Sequence, residues 1–306
     1  MTTIASNPPA ALPSPRLSPS LLLPALLACY LVWGSTYLAI RFALLSFPPF
    51  FQMGSRFLVA GLVLGAWVFW REGPKAWPTL TQWRNAFIVG SLMLAGGMGL
   101  LASAQQHIGS GLIATFIAVV PMMVCGWGLL FGKRPARLEL MGMLVGVVGV
   151  VLLVQGASFA AAPVGIVCIA GATLAWSLAS VLQTTRLPLA LGPAGFASEM
   201  LCGGAVLLAV SLVLGEQPEW PPQAQALAAW AYLVVFGSLI AFTAYLYLLA
   251  HASPALATSY ALVNPVIALV LGVVLAGEVV TGGEWLACGV ILFGVVLIFL
   301  GKVQKN

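Results

Sequence analysis

The sequence predicts an all-α integral membrane protein with ten transmembrane helices, arranged as two inverted five-helix repeats. The chain of 306 residues is 61% hydrophobic and only 6% charged, whereas charged residues make up roughly a quarter of a typical soluble domain. Runs without formal charge cover residues 85–132, 140–185 and 220–277, and each is long enough for two crossings of about 20 residues. The two halves of the chain also match each other at a nearly constant offset.

Splitting the apolar blocks at charges, prolines and glycine-rich turns gives ten predicted helices, numbered here in chain order. Each must satisfy its backbone hydrogen bonds internally in lipid, and the alternation of a membrane β-barrel is absent, so helix is the predicted state. The predicted helices lie near residues 21–45, 50–70, 85–105, 109–131, 139–156, 163–185, 195–214, 226–250, 254–277 and 283–301.

The first helix could instead be a secretory signal, but its apolar stretch is longer than a signal core and no small-residue cleavage site follows it. The proline-rich residues before it predict a disordered tail. We therefore expect residues 1–20 as a disordered cytoplasmic tail, 21–156 as a first repeat with helices 1–5, 157–301 as a second repeat with helices 6–10, and 302–306 as a C-terminal cytoplasmic tail.

Lysine and arginine predict the orientation. If the N-terminus is cytoplasmic, the cytoplasmic segments carry ten of the twelve basic residues, and the outside carries Arg41 and Arg56. This bias is typical of the positive-inside rule, so we expect an inner-membrane protein with both termini in the cytoplasm. Because the basic residues are scattered singly, we expect no nucleic-acid partner. The outside then collects four carboxylates, those of Glu216, Glu219, Glu278 and Glu284.

The internal repeat predicts the arrangement of the two halves. Matching pairs recur at offsets of 143 to 145 residues: Trp33 and Trp176, Pro121 and Pro265, His107 and His251, Glu139 and Glu284. The stretch that aligns helix 3 with helix 8 needs a three-residue gap. Five is an odd number of crossings, so the second repeat enters the membrane from the opposite side. The helix 4–5 loop, GKRPARLE, is basic, whereas its counterpart AGEVVTGGE is acidic. Inverted repeats place a substrate site near the midplane.

Two prolines mark that depth. Pro121 and Pro265 lie near the centres of helices 4 and 9, where each removes a backbone donor and disturbs the preceding turn. Their symmetric placement favours gating or cavity lining over a simple packing kink. Asn264 is the most polar side chain at this depth. An amide in lipid usually faces the protein interior, so Asn264 is a candidate substrate ligand.

Aromatic side chains form the other part of the predicted site. Trp33 and Trp176 fall near the centres of helices 1 and 6, away from the interfacial belts where tryptophan normally gathers. The alternative is ordinary interhelical packing. Four further aromatic residues extend the predicted wall, namely Tyr37, Phe116, Tyr245 and Tyr260. A largely apolar cavity with a few polar groups is typical of sites for small amphipathic solutes.

Charged residues inside the helices need a function or a route to water. Arg56 and Glu199 are repeat mates about two turns into helices 2 and 7, and either could serve ion or proton coupling or extend its charge to the nearer interface. Inversion puts them near opposite faces, so we expect no salt bridge between them. Glu139 and Glu284 begin helices 5 and 10, where a carboxylate complements the helix dipole.

Other residue types exclude several function classes. The cysteines have no metal-ligand spacing, and His107 and His251 end different helices, so we expect no metal site and no cofactor. A membrane enzyme would need clustered acids, histidines or a reactive cysteine, and the sequence offers no such cluster. Gly142, Gly146 and Gly149 form a small-residue face on helix 5 that indicates close helix contact.

Four stretches resemble EamA-type members of the drug/metabolite transporter superfamily: WGSTYLAIR in helix 1, RFLVAG in helix 2, SPALATSYALVNPVIALVLG in helix 9, and the GE that follows it. The resemblance covers the chain after the tail. In the first repeat, ATFIAVVPMM keeps Pro121 but has Val120 where the second repeat has Asn264.

The resemblance implies alternating-access export of small metabolites, amino acids or drugs through a cavity lined by helices 1, 3, 4, 6, 8 and 9. It leaves helices 5 and 10 for packing or for a homodimer. It points at Trp33, Tyr37, Phe116, Trp176, Tyr245, Tyr260 and Asn264 as cavity residues. Related proteins include exchangers, proton-linked carriers and passive facilitators, so substrate, coupling and direction stay open, with a facilitator or importer as the alternative.

Overall fold

The computed structural model describes residues 21–130, 136–160, 162–252, 256 and 259–305, and this part of the chain is helical with short connections. Nine of its helices have the length and apolar composition to cross a membrane, and a tenth apolar helix has 17 residues. We number them α1 (Leu22–Ala43), α2 (Pro49–Glu72), α3 (Leu80–Ala104), α4 (Ser110–Leu130), α5 (Arg137–Val154), α6 (Pro163–Thr185), α7 (Pro193–Val213), α8 (Ala224–Leu248), α9 (Tyr260–Ala276) and α10 (Gly282–Lys305). The predicted all-α, ten-helix membrane protein is confirmed.

Several predictions fall outside the described residues. These are the tail at 1–20, the basic loop residues 131–135 and most of the predicted start of helix 9 at 253–258. Two local features differ from the prediction. A short helix, Ala157–Ala160, lies between α5 and α6, and α10 continues to Lys305 instead of ending at Gly301.

The repeat mates α2 and α7 pack against each other in opposite directions. A Cβ at Gly54 would lie 2.8 Å from the side chain of Leu208, and one at Gly61 would lie 3.1 Å from Leu201. Residue numbers therefore rise along α2 as they fall along α7. Because these two helices occupy equivalent places in the two repeats, their antiparallel contact confirms that the repeats are inverted.

The mates α5 and α10 pack in the same antiparallel way through the predicted glycine face. A Cβ at Gly142 would lie 2.6 Å from the carbonyl oxygen of Gly294, and one at Gly149 would lie 2.8 Å from the backbone nitrogen of Ile291. Such contacts let two backbones approach closely in lipid, where van der Waals packing drives helix association. The glycine face is therefore used within the chain, and a homodimer through α5 and α10 would use their outward faces.

The remaining contacts repeat the same twofold relation. Helix α1 packs against α8 and α9, and its mate α6 packs against α3 and α4. Helices α4 and α9 contact each other near the start of α4, where a Cβ at Gly111 would lie 2.6 Å from the Cα of Leu269. Helices α1, α8 and α9 thus form one group of packed helices, and their mates α6, α3 and α4 form the other.

The two prolines act differently on their helices. Helix α4 breaks into Ser110–Ile117 and Val120–Leu130, immediately before Pro121, whereas α9 continues through Pro265 from Tyr260 to Ala276. A proline removes one backbone hydrogen bond and crowds the preceding turn, and in α4 this ends the first segment. The two equivalent prolines therefore lie in different backbone surroundings, and their gating or cavity-lining function stays a prediction.

Three helices contain π-helical segments near their middle or first half. They are Ala28–Val32 in α1, Ser91–Gly99 in α3 and Leu233–Ile240 in α8. The segments in α3 and α8 lie in helices that are repeat mates. π-Helical turns displace backbone groups from the regular ladder and occur often at functional sites.

Candidate functional site

The aromatic rings of α1, α8 and α9 meet around Trp33. Its ring centroid lies 4.7 Å from that of Tyr260 and 5.4 Å from those of Tyr245 and Phe242. Tyr245 and Tyr260 also contact each other edge to face at 5.6 Å. Such arrangements are favourable beyond their buried area. We call Trp33, Phe242, Tyr245 and Tyr260 the aromatic cluster. It joins one helix of the first repeat to two of the second.

Polar groups hold the aromatic cluster in place. The indole nitrogen of Trp33 donates a hydrogen bond to the carbonyl oxygen of Gly237 at 3.1 Å, and Gly237 belongs to the π-helical segment of α8. The hydroxyl groups of Tyr30 and Ser259 share a hydrogen bond of 2.6 Å. The bond from Trp33 to Gly237 therefore ties the orientation of the tryptophan to the backbone of α8.

Asn264 connects α9 to α1 beside this cluster. Its side chain is buried, and in the amide orientation that satisfies both sides its nitrogen donates to the carbonyl oxygens of Tyr30 and Tyr260, each at 3.2 Å. The pairing of a buried amide with backbone oxygens removes most of the cost of placing it in an apolar surrounding. Asn264 therefore positions α1 against α9 at the depth of the aromatic cluster.

The second midplane tryptophan has a related backbone contact but different neighbours. Trp176 of α6 packs on Gly97, where a Cβ would lie 3.1 Å from the indole ring. Gly97 is in the π-helical segment of α3, as Gly237 is in that of α8. In the described part of the chain, no aromatic ring pairs with Trp176. The aromatic cluster around Trp33 therefore has no counterpart around Trp176 among these residues.

Two other predicted wall residues pack against the main core of the bundle. Phe116 stacks on Phe159 of the short helix with ring centroids 5.9 Å apart, and this pair is buried in the main core. Tyr37 lies one turn after Trp33 and packs against the same core. The structure thus brings together Trp33, Tyr245, Tyr260 and Asn264 of the seven predicted cavity residues.

Arg56 and Glu199 are both buried, so neither extends to water at the membrane surface. Arg56 is 3% exposed and its Nε donates to the hydroxyl oxygen of Ser238 at 2.9 Å. Glu199 is 4% exposed, and among the described residues its Oε1 has no hydrogen-bond partner. A Cβ at Gly90 of α3 would lie 2.8 Å from the Glu199 carbonyl oxygen. Each mate therefore lies against the π-containing helix of the other repeat.

Several carboxylates lie on one face of the bundle. This face carries the α1–α2, α3–α4, α5–α6, α7–α8 and α9–α10 connections, and we call it the carboxylate face. Glu278 Oε1 accepts from Arg41 Nη1 at 2.6 Å and from the backbone nitrogen and hydroxyl of Ser110 at 2.7 Å each. Its Oε2 accepts from the backbone nitrogen of Gly111 at 3.0 Å. Glu278 thereby caps α4 and pairs with the end of α1.

The other acidic residues predicted outside lie on the same face. Glu216 accepts from the backbone nitrogens of Phe50 and Phe51 at 3.2 and 2.8 Å, which caps α2. Glu219 Oε2 accepts from the Ser46 hydroxyl at 2.7 Å. Glu284 accepts from the backbone nitrogen of Ser158 at 3.0 Å. Carboxylates at helix N-termini satisfy free N–H groups and complement the dipole.

These connections and the polar partners of the aromatic cluster were not predicted from the sequence. Gly237 contributes the carbonyl of a π-helical segment, and Tyr30 and Ser259 contribute a hydrogen bond between residues 229 positions apart. Glu278 had a signal in the GE after helix 9, but its partners at the start of α4 are 168 residues away along the chain. Among the described residues, no three histidine, cysteine or acidic side chains lie together in a way that could hold a metal ion.

A groove of about 500 Å³ lies between α3 and α7. It is lined only by apolar side chains, among them Phe87, Val206 and Val210. Ligand sites combine apolar walls with a few convergent polar groups, which this groove does not have. It is a lipid-facing surface, and the aromatic cluster remains the candidate site.

Comparison with known proteins gives the family. The profile of the EamA-like transporter family matches twice, at residues 21–155 and 163–300. The chain is 42% identical over 279 residues to the "Uncharacterized inner membrane transporter YedA" of Escherichia coli K12, covering 91% of this chain and 90% of that protein. It is 28% identical to "Protein PecM" of Dickeya dadantii, with 88% and 86% covered.

A solved structure described as "Crystal structure of protein" has the same fold, with a TM-score of 0.63 at 20% identity over 94% of this chain and all of that one. The double profile match follows the two inverted repeats, and the relatives extend over nearly the whole chain. The chain therefore belongs to the EamA-like transporter family of the drug/metabolite transporter superfamily.

Proposed function

We propose that this protein is a secondary transporter that exports small amphipathic metabolites, amino acids or drugs from the cytoplasm by alternating access. The carrying observation is the aromatic cluster, in which Trp33 of the first repeat contacts Phe242, Tyr245 and Tyr260 of the second. A rocking movement of one repeat against the other would remake these contacts. A site between inverted repeats near the midplane is the arrangement that alternating access requires.

The chemistry of the cluster suits an amphipathic solute. Four aromatic rings give an apolar wall, and Asn264, Tyr30 and Ser259 supply polar groups beside it. Binding sites of this kind use apolar area for affinity and a few fixed polar groups for orientation. Pro121 has a place in this proposal because α4 is broken beside it, which gives the bundle a point at which α4 can bend.

We further propose that the protein lies in the inner membrane with both termini in the cytoplasm. The distribution of Lys and Arg supports this orientation. The carboxylate face is then the outer face. Our proposal includes no enzyme activity, no cofactor and no nucleic-acid partner. The partners are a small-molecule substrate and the lipid bilayer. A homodimer through the outward faces of α5 and α10 is compatible with the site.

A passive facilitator or an importer with the same architecture is the second candidate. It is favoured by the small number of acidic groups inside the helices, since the chain has no Asp at all. Strong proton coupling usually relies on intramembrane carboxylates. Among the described residues, the intramembrane carboxylate with a buried oxygen that lacks a hydrogen-bond partner is that of Glu199. Uphill accumulation of substrate in proteoliposomes distinguishes a coupled carrier from a facilitator.

The test uses purified protein in proteoliposomes and a panel of radiolabelled amphipathic solutes. We expect Trp33→Ala to reduce transport at least about tenfold, because it removes the ring that three others contact. Trp70→Ala is the matched control, since Trp70 is 79% exposed on the outside of the bundle. Transport by Trp33→Ala equal to that of the Trp70→Ala control, at equal amounts of folded protein, would exclude the aromatic cluster as the site.

A further inference from the structure

Arg56 is a buried cation without a carboxylate partner among the described residues. In this part of the chain the ion pair formed by arginine joins Arg41 to Glu278, which leaves Arg56 unpaired. A guanidinium has five N–H donors. Arg56 Nε uses one of them on Ser238 Oγ at 2.9 Å, and Nη1 has only the weak acceptor Met53 Sδ at 3.8 Å. The ring of Phe57 lies 4.7 Å below the guanidinium carbon.

This arrangement leaves the charge poorly compensated. A buried charge is costly unless opposite charge and hydrogen bonds surround it. One hydroxyl, one thioether and one aromatic face supply neither an anion nor enough acceptors for four further N–H groups. The free edge of the guanidinium, which carries Nη1 and Nη2, is the part that lacks oxygen partners.

That edge lies next to the aromatic cluster. Gly237 separates them: a Cβ on this residue would lie 3.3 Å from Arg56 Nη2 and 3.1 Å from the methyl group of Thr36. The carbonyl of the same glycine accepts the indole N–H of Trp33, and the Thr36 hydroxyl donates to the Trp33 carbonyl at 2.6 Å. Arg56 of α2 thus lies against the same glycine of α8 whose carbonyl accepts the indole N–H of Trp33.

We propose that Arg56 recognises the anionic group of the substrate, and that the substrate is a small amphipathic carboxylate. This inference rests on the proposed transport function and adds the substrate class. The apolar body lies against the aromatic cluster, and the carboxylate accepts two N–H groups from the free edge of Arg56. The paired, planar donors of arginine match the two oxygens of a carboxylate. A phosphate carries more charge and calls for a second cation, which the described residues around Arg56 do not provide.

The experiment measures binding by the rise in melting temperature of the purified protein in detergent, so that membrane permeation of weak acids has no effect. The probes are two matched pairs: 3-phenylpropionate with 3-phenylpropionamide, and hexanoate with hexanamide. A ligand that binds only the folded state raises the melting temperature by an amount that grows with the logarithm of its concentration divided by its Kd. We expect each carboxylate to bind at least about tenfold more tightly than its amide.

Variants of Arg56 separate recognition from folding. Arg56→Gln removes the cation, so the preference for carboxylate over amide should fall to roughly equal binding. Arg56→Lys keeps a positive charge but lacks the paired donors, so the preference should remain at a reduced size. Arg84→Gln is the control, because Arg84 is an exposed arginine of α3.

The outcomes are distinct from those that test transport itself. Equal binding of carboxylate and amide by the unaltered protein, no stabilisation by either carboxylate, or a full preference retained in Arg56→Gln would each overturn the anion proposal. If Trp33-dependent transport of neutral or cationic solutes persists in those cases, the proposed transport function stands. If Arg56→Gln does not fold, a full preference in Arg56→Lys would overturn recognition by paired donors.

Discussion

The two faces of the bundle differ in how they connect the repeats. On the carboxylate face, Glu278 of the second repeat binds the start of α4 and Arg41 of the first, and Glu216 caps α2 from the α7–α8 connection. The face that carries the start of α1 and the end of α10, which we call the terminal face, is connected in its described part by neutral hydrogen bonds, and toward it the hydroxyl groups of Tyr30 and Ser259 share one of 2.6 Å. In its described part, Asn85 Nδ2 donates to the carbonyl oxygen of Pro188 at 2.9 Å, while Glu139 bonds locally to the Ala136 nitrogen.

This difference indicates an arrangement that is closed at the carboxylate face. Carboxylates that accept from several donors make stronger hydrogen bonds than a neutral amide does. The aromatic cluster would then be reached from the terminal face, where the hydrogen bonds that join the repeats among the described residues are neutral. Under the proposed alternating access and orientation, an exported substrate would enter from the cytoplasm.

The sequence predicts that the cap made by Glu278 has no counterpart on the terminal face. At the offset of 145 that pairs Glu139 with Glu284, Glu278 is matched by Lys133. Lys133 lies outside the described residues, but a lysine has no acceptor atom and its charge is unfavourable at the positive end of a helix. Inverted repeats with the same fold can thus have unequal closures, because one residue in each connection decides whether a helix N-terminus is capped from the other repeat.

The largest effect should come from Glu278→Gln. The amide loses the ion pair with Arg41 and turns one N–H group toward donors on Ser110 and Gly111. Replacement of charged hydrogen bonds in this way should lower the free energy needed to separate α4 from Glu278 by about 2–3 kcal/mol. Hydrogen–deuterium exchange in nanodiscs should therefore become roughly 30-fold faster or more in the segment 108–112.

The control for this variant is Glu72→Gln, since Glu72 is an exposed carboxylate at the end of α2 on the terminal face. It should leave exchange in the segment 108–112 unchanged. Equal exchange rates in Glu278→Gln and Glu72→Gln would mean that the carboxylate is not what holds α4 against the second repeat. The comparison between the faces would then have to rest on packing alone.

A smaller effect is expected for Glu216→Gln. The glutamine oxygen can still accept one of the two backbone N–H groups of Phe50 and Phe51, so one cap is lost and no ion pair is broken. The expected cost is about 1–1.5 kcal/mol, with exchange at these two amides roughly five- to tenfold faster. If Glu216→Gln had a larger effect than Glu278→Gln, the stronger connection on this face would be the one at α2 and not the one at α4.

The fold was predictable from the sequence because its determinants are local and repeated. Apolar length fixes each crossing, and the odd number of helices in each half requires inversion, so Gly54, Gly61 and Gly142 needed only to be small for the antiparallel contacts to form. The site was predictable in part. Trp33 and Asn264 were found because aromatic and amide side chains are unusual at the midplane.

The rest of the site depends on geometry that residue patterns do not carry. Trp176 lies at the same depth as Trp33, yet no aromatic ring contacts it among the described residues. The first-repeat residues equivalent to Tyr245 and Tyr260 do not place an aromatic ring against it. Phe116 has the repeat position of Tyr260 but stacks on Phe159 of a helix that was not predicted. The π-helical segment that presents Gly237 to Trp33 is set by packing, and glycine alone does not specify it.

The smallest effect is expected for Asn85→Ala on the terminal face. It removes one neutral hydrogen bond to Pro188, and the cost should be about 0.5–1 kcal/mol because neither partner is charged. Exchange in the segment 186–192 should rise roughly two- to fivefold, while exchange at 108–112 should stay as in the unaltered protein. If Asn85→Ala instead speeds exchange on its own face as much as Glu278→Gln does on the other, then the two closures are of similar strength. The inequality between the faces, and the entry side inferred from it, would then be wrong.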